Sequence, residues 1–158
     1  MQSQFFHCEL YMDTSMRILV ALLAYGFAIG SALADGLPEV EVWKDPNCGC
    51  CVKWIDHLQQ NGFEVKAHNV ARVDSVRAKL GMPHRYGSCH TAKVAGYVIE
   101  GHVPAADIKH LIEQRPMARG LAVPGMPVGS PGMEGPYSEP YQTLLIGLGD
   151  KARVFAEH

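Results

Sequence analysis

The chain has 158 residues, 47% hydrophobic and 19% charged, with a formal net charge of −2. That is enough apolar material for one modest domain with its own core. Charge this close to balance, with no basic run, gives no footing to a nucleic-acid partner or a basic membrane-surface patch.

The beginning does not read as part of that domain. Residues 1–15 carry Glu9 and Asp13, which suit no export signal, so the start is expected at Met16, with Cys8 outside the mature protein. Met16-Arg17, the apolar run Ile18 to Ile29 and then Ser31-Ala32-Leu33-Ala34 read as a signal peptide over 16–34, cleaved after Ala34. The run is too short and too cleanly ended for a spanning helix. The expected mature domain is therefore 35–158, exported and free of the membrane once cleaved. Cleavage removes one base (Arg17) and two acids (Glu9, Asp13) from the 14 and 16 in the chain, leaving a net charge of −1. Four cysteines remain: Cys48, Cys50, Cys51 and Cys89. In an oxidising compartment idle thiols tend to pair.

Val40, Val42 and Trp43 read as the end of a strand, Asp45-Pro46-Asn47-Cys48-Gly49 as a turn, and Cys51 onward as a helix. Cys51, Trp54, Ile55 and Leu58 repeat at helical spacing, and Asn61-Gly62 stops the pattern. Phe63, Val65 and Ala67 alternate with charged residues as a half-buried strand. Val73, Val76 and Leu80 mark a short helix closed by Gly81 and Pro83. A loop from His84 to Thr91 follows and carries Cys89, then a strand from Val94 to Ile99. Pro104 opens a helix whose apolar face is Ala105, Ile108, Leu111 and Ile112. From Arg115 to Pro140, Gly and Pro recur so often that no regular element is expected, and a long loop in a small domain is a functional suspect. Thr143–Ile146 and Ala152–Phe155 read as a closing β-hairpin. The order makes an α/β domain without internal repeats.

The chemistry is concentrated in Cys48-Gly49-Cys50-Cys51. Cys48 and Cys51 form a C-x-x-C pair opening a helix after a strand, where free N–H groups and the helix dipole favour thiolate over thiol. Thiolate is both a nucleophile and a soft-metal ligand. Three readings stay open: soft-metal binding, redox exchange, and a structural disulfide. Metal binding leads, because Cys50 cannot share a helix face with both neighbours and three fanned sulfurs suit gripping a metal. Bridging near neighbours also restrains an unfolded chain little. Cys89 could supply a fourth sulfur, and His90 beside it is a ligand, a supporting partner or simply solvated. Met126 and Met133 sit in the Gly/Pro loop without apolar periodicity. Thioethers select Cu(I), while the plain alternative is packing. His57, His68, His102 and His110 fall on separate elements and read as surface residues. A phosphate loop, a nucleophile elbow and a paired-carboxylate motif are all missing, so a hydrolase has no basis.

Four motifs in order resemble the exported copper-resistance proteins of the CopG type. They are Asp45-Pro46-Asn47-Cys48-Gly49-Cys50-Cys51, Ser88-Cys89-His90-Thr91-Ala92, Gly96 to Pro104, and Pro124-Gly125-Met126-Pro127 with Gly129 to Glu134. The match runs from about 39 to 156. The resemblance implies a single thioredoxin-like domain, a central sheet flanked by helices, that binds Cu(I) in the periplasm through Cys48, Cys50, Cys51 and Cys89. It extends to a cysteine-bridged multinuclear cluster, a role in copper tolerance, and copper redox chemistry or hand-over to other periplasmic copper-handling proteins. Resemblance to true thioredoxins is looser. Those place a cis-proline directly before the strand facing their cysteines, and here Ala92, Lys93 and Val94 stand there. The rival in another class is a thiol–disulfide oxidoreductase using Cys48 and Cys51. Zinc in a closed tetrahedral site is the weaker metal, since the extra thiolate and the methionine loop favour copper.

Overall fold

The computed structural model describes residues 36–158. The expected upstream segment, signal peptide and cleavage point, together with Cys8, lie outside the described residues.

β1 (Val40–Lys44) buries Val40, Val42 and Lys44 and turns Glu41 and Trp43 outward, the period of a half-covered strand. α1 (Gly49–Gln60) starts two residues before the apolar stripe of Cys51, Trp54, Ile55 and Leu58, because Cys48 caps it with its own side chain. After β2 (Val65–Asn69), α2 (Val73–Lys79) and a 3-10 turn (His84–Tyr86), the chain departs from expectation. The segment expected as a loop followed by one strand is a hairpin, β3 (His90–Val94) and β4 (Tyr97–Gly101). Its two-residue turn is Ala95-Gly96, both at positive φ (47° and 88°), the conformation that matches strand twist. Four of the five β3 residues are buried, so no polar alternation announced the strand. His90 and Thr91 thus belong to a strand.

α3 (Ala105–Gln114) is followed by β5 (Gly120–Val123), which lies inside the stretch expected to hold no element. All four β5 residues are buried, because the strand is central and covered on both faces. Its glycine is required by packing: a side chain at Gly120 would run into the Val98 backbone. β6 (Gln142–Ile146) and β7 (Ala152–Glu157) form the expected closing hairpin.

The seven strands make one sheet in the order β2-β1-β3-β4-β5-β6-β7, with β1–β2 and β4–β5 parallel and the remaining pairs antiparallel. Trp54, Leu58, Ile108 and Leu111 from α1 and α3 join Val40, Val42, Ile99 and Leu121 in the main core. Met82, Val98, Ala122 and Ile146 form a smaller cluster. Val98 and Ile99 are adjacent on β4, so the two clusters lie on opposite faces of the sheet. The result is a mixed α/β domain of seven strands and three helices. One pairing brings the cysteines together. β1 runs antiparallel to β3, with Lys44 opposite His90, so the turn leaving β1 meets the segment entering β3.

Candidate metal centre

Cys48 is the N-cap of α1, and its Sγ accepts a hydrogen bond from the Cys51 amide at 3.3 Å. No acidic residue occupies the helix's first turn, so the positive end of the dipole acts on the sulfurs unopposed. Cys48 and Cys51 are joined by a disulfide, and Cys50 and Cys89 are free. Cys50 Sγ lies 3.5 Å from Cys48 Sγ and 3.9 Å from Cys89 Sγ. All four sulfurs fall within 4.8 Å of one another. Cys51 is fully buried, while Cys48, Cys50 and Cys89 are half-buried, so the group has an inner end and an outer rim.

Cys89 is brought in by the hairpin. Its Sγ lies 3.3 Å from His102 Nε2 and 3.5 Å from His90 Nδ1. His102 Nδ1 lies 2.7 Å from the Pro131 carbonyl, which can only accept. Nδ1 therefore carries the proton, and Nε2 turns its lone pair toward the cysteine sulfur. Burial lowers the pKa of His102 and, with the neighbouring His102, takes that of His90 down to about 3. Both rings are held neutral, the form that ligates metal. Burial and the Cys50 sulfur push the Cys89 thiol up to about 12. A coordinated cation reverses that preference, since a metal-bound thiol is deprotonated. Cys89, His90 and His102 form a second group whose ligand atoms lie within 4.8 Å, so Cys89 belongs to both sets. His90 is wedged between the Trp54 ring at 4.3 Å and the His102 ring at 5.0 Å, with its Nε2 unpartnered.

His102 corrects the sequence reading, which put it at the surface; it is fully buried. Its signal lay in the hairpin. The register pairs Thr91 with Glu100, and carrying it two steps outward sets Cys89 opposite His102. Of the other histidines, His57 accepts a hydrogen bond from the Ala105 amide at 3.0 Å and ties α1 to α3. His68 contacts Glu41, and His110 contacts Gln114.

Two solved structures, described as "Copper resistance protein copG- Form 2" and "Copper resistance protein copG- Form 1", are similar to this chain. Each shows 48% identity and a TM-score of 0.73, covering 77% of this chain and 98% of its own. The chain belongs to the copper resistance protein CopG family. A family model described as "Protein of unknown function, DUF411" matches residues 86–133. No curated protein matches. The DUF411 stretch holds Cys89, His90, His102 and both candidate methionines but not the C-x-C-C turn.

In this CopG-family chain the Gly/Pro loop is seated on the cysteine helix. Met133 donates its amide to Ser130 and accepts from Gly129, folding the loop back on itself. Gly132, at φ 84°, presses on the first turn of α1, where a Cβ would come within 2.7 Å of the Cys50 carbonyl and 2.8 Å of the Trp54 amide. Met133 shares with Cys50, Lys53, Val128 and Tyr137 the lining of an open cavity beside the sulfurs. Met126 sits at φ 52°, 40% exposed, and outside that lining. A second open groove, lined by Pro124, Tyr141, Glu157 and His158, contains no cysteine.

Proposed function

We propose that this chain is an exported Cu(I)-binding protein that contributes to copper resistance in the periplasm, holding copper through Cys48, Cys50, Cys51 and Cys89. The observation that carries this reading is the approach of all four sulfurs to within 4.8 Å of one another at a helix N-terminus. Soft thiolates favour Cu(I), and a thioether on the cavity wall favours it over zinc. The similarity to structures described as copper resistance proteins points the same way. The two ligand sets that share Cys89 support a multinuclear arrangement with the Cys89 sulfur as the bridge and His102 Nε2 as a nitrogen donor. The cysteine turn at the end of β1, facing the residue before its neighbouring strand, supports the thioredoxin-like reading of the fold.

Copper is the cargo here, and the protein must first free its sulfurs. Reducing the Cys48–Cys51 bond takes two electrons and two protons from an external dithiol and yields two thiols. Metal loading then displaces thiol protons. The disulfide itself favours a second reading, a thiol–disulfide oxidoreductase acting through Cys48 and Cys51. Cys50→Ser separates the two: copper binding should fall sharply, whereas two-cysteine exchange should survive.

The direct test is anaerobic loading of the dithiol-reduced protein with Cu(I), followed by the metal-to-protein ratio and X-ray absorption. A sulfur-dominated copper shell that loses a nitrogen in His102→Ala is the expected result. Copper uptake indifferent to all four cysteines would overturn the reading. Export is tested separately: the protein from an exported fraction should begin at Asp35 by mass spectrometry, and a product retaining 16–34 in the cytoplasm would refute it.

A further inference from the structure

Beside the segment that carries Cys89 lies a buried ion pair that copper binding does not use. Arg77, from the last turn of α2, and Glu100, on β4, are 7% and 0% exposed and meet at 2.8 Å (Nε to Oε1). Glu100 points to the same sheet face as Val98, away from the main core that holds Ile99. The groups that the pair engages are unusual. The Ser88 amide donates to Glu100 Oε1 at 2.6 Å, and Arg77 Nη2 donates to the Ser88 carbonyl at 2.6 Å. Glu100 Oε2 accepts from the Thr91 hydroxyl at 2.6 Å. Both backbone groups of the residue preceding Cys89 are thus held by two charged side chains, and Thr91 ties down the chain two residues beyond Cys89.

Two glycines make room for this grip. A Cβ on Gly87 would come within 3.0 Å of the Arg77 guanidinium, and one on Gly101, at φ 73°, within 2.8 Å of the Ser88 Cβ. A buried ion pair is a weak device for stability alone, because desolvation offsets most of its attraction. Anchoring a peptide is a better use of it, since charge-assisted bonds are short and directional. The peptide in question is the one that aims Cys89.

We propose that Arg77 and Glu100 are positioning residues that set Cys89 Sγ against Cys50 and His102. They act through the Ser88 backbone and touch neither metal nor sulfur. The proposal rests on the copper-site reading for its function, but its geometric content does not need copper.

The test uses full-length mature protein, dithiol-reduced, as wild type, Glu100→Gln, Arg77→Lys, Cys89→Ser and the Glu100→Gln/Cys89→Ser double variant. Glu100→Gln keeps the shape and replaces one acceptor with a donor. Arg77→Lys keeps the charge and loses the fork. The first readout is metal-free: alkylation of Cys89 by iodoacetamide, followed by mass spectrometry, with Cys50 as the internal reference. A change of about tenfold at Cys89 is expected, with Cys50 unmoved. The second is the rate at which loaded Cu(I) passes to a chelator. Glu100→Gln should speed it about 10- to 100-fold, the range of supporting-residue effects at metal sites. In the Cys89→Ser background the same substitution should add nothing, because the two act on one group.

A folded Glu100→Gln protein with wild-type Cys89 alkylation and copper release overturns the proposal. So do effects of Glu100→Gln and Cys89→Ser that multiply. If Glu100→Gln does not fold, Arg77→Lys is judged by the same criteria; if neither folds, the pair is structural and the positioning role is rejected. A wild type that takes up no Cu(I), while Cys89 alkylation still answers to Glu100→Gln, sinks the copper reading and leaves the positioning role standing.

Discussion

The two halves of the sulfur cluster are built by opposite means. Cys48, Cys50 and Cys51 lie within four residues, on a turn that caps its own helix through the Cys48 sulfur. Cys89 stands alone in the sequence, and its surroundings come from α2, β4, the residues after β4 and the Gly/Pro loop through Arg77, Glu100, His102 and Pro131. The first half is local and should withstand distant change. The second half depends on packing and should register disturbance anywhere in its four supports.

The largest effect should come from breaking the local half outright. Cys48→Ser or Cys51→Ser puts a hard, protonated hydroxyl where a soft thiolate is needed, and tight Cu(I) binding should be lost in competition with a chelator. Retention of tight binding in either variant would mean that the helix turn is not the anchor.

Next in size is a strike at the distributed half without touching a ligand. Gly132→Ala places a Cβ against the Cys50 carbonyl and the Trp54 amide at a positive φ. Backbone strain of this kind costs on the order of 1–3 kcal/mol, so the thermal midpoint should drop. Displacing Pro131 with its neighbour should also loosen the His102 ring, and NMR should show its Nδ1 proton exchanging faster. An unshifted midpoint would show that the loop can move off the helix cheaply.

His102→Ala is expected to act more narrowly, weakening copper retention about 10- to 100-fold while Cys48 and Cys51 still re-form their disulfide at the wild-type rate. Equal slowing of disulfide formation would show that the two halves are coupled more tightly than their contacts suggest.

The smallest effect belongs to the methionines. Met133→Leu should speed copper release by a few-fold, roughly 1 kcal/mol or less, and Met126→Leu by less, since its side chain lies outside the cavity beside Cys50. Indistinguishable release from the wild type and the Met133→Leu variant would reduce both residues to packing.

The same division explains what could be read from the sequence. The helix carrying Cys51, Trp54, Ile55 and Leu58 declared itself by its period, and the closing hairpin by its glycine-flanked alternation. β3 and β5 did not, because burial on both faces removes the alternation that marks a strand. In β5 the glycine that looked like a breaker is the residue that lets two backbones approach. Missing the β3–β4 hairpin hid His102. Adjacent cysteines can be seen without any fold, whereas a histidine 13 residues from its sulfur is visible only once strand register is known.

That register has a consequence for how length can vary in this molecule. Cys89 and His102 face each other because equal spans lie on either side of the Ala95-Gly96 turn. One residue inserted into either strand shifts every later side chain to the opposite face of the sheet, sending His102 away from the sulfur while the composition stays the same. Near Pro136–Pro140 the backbone joins no ladder, and added residues would loop into solvent. Deletion and insertion scanning should therefore find a rigid ruler in the short hairpin and slack at Pro136–Pro140, with copper retention tracking the first and indifferent to the second.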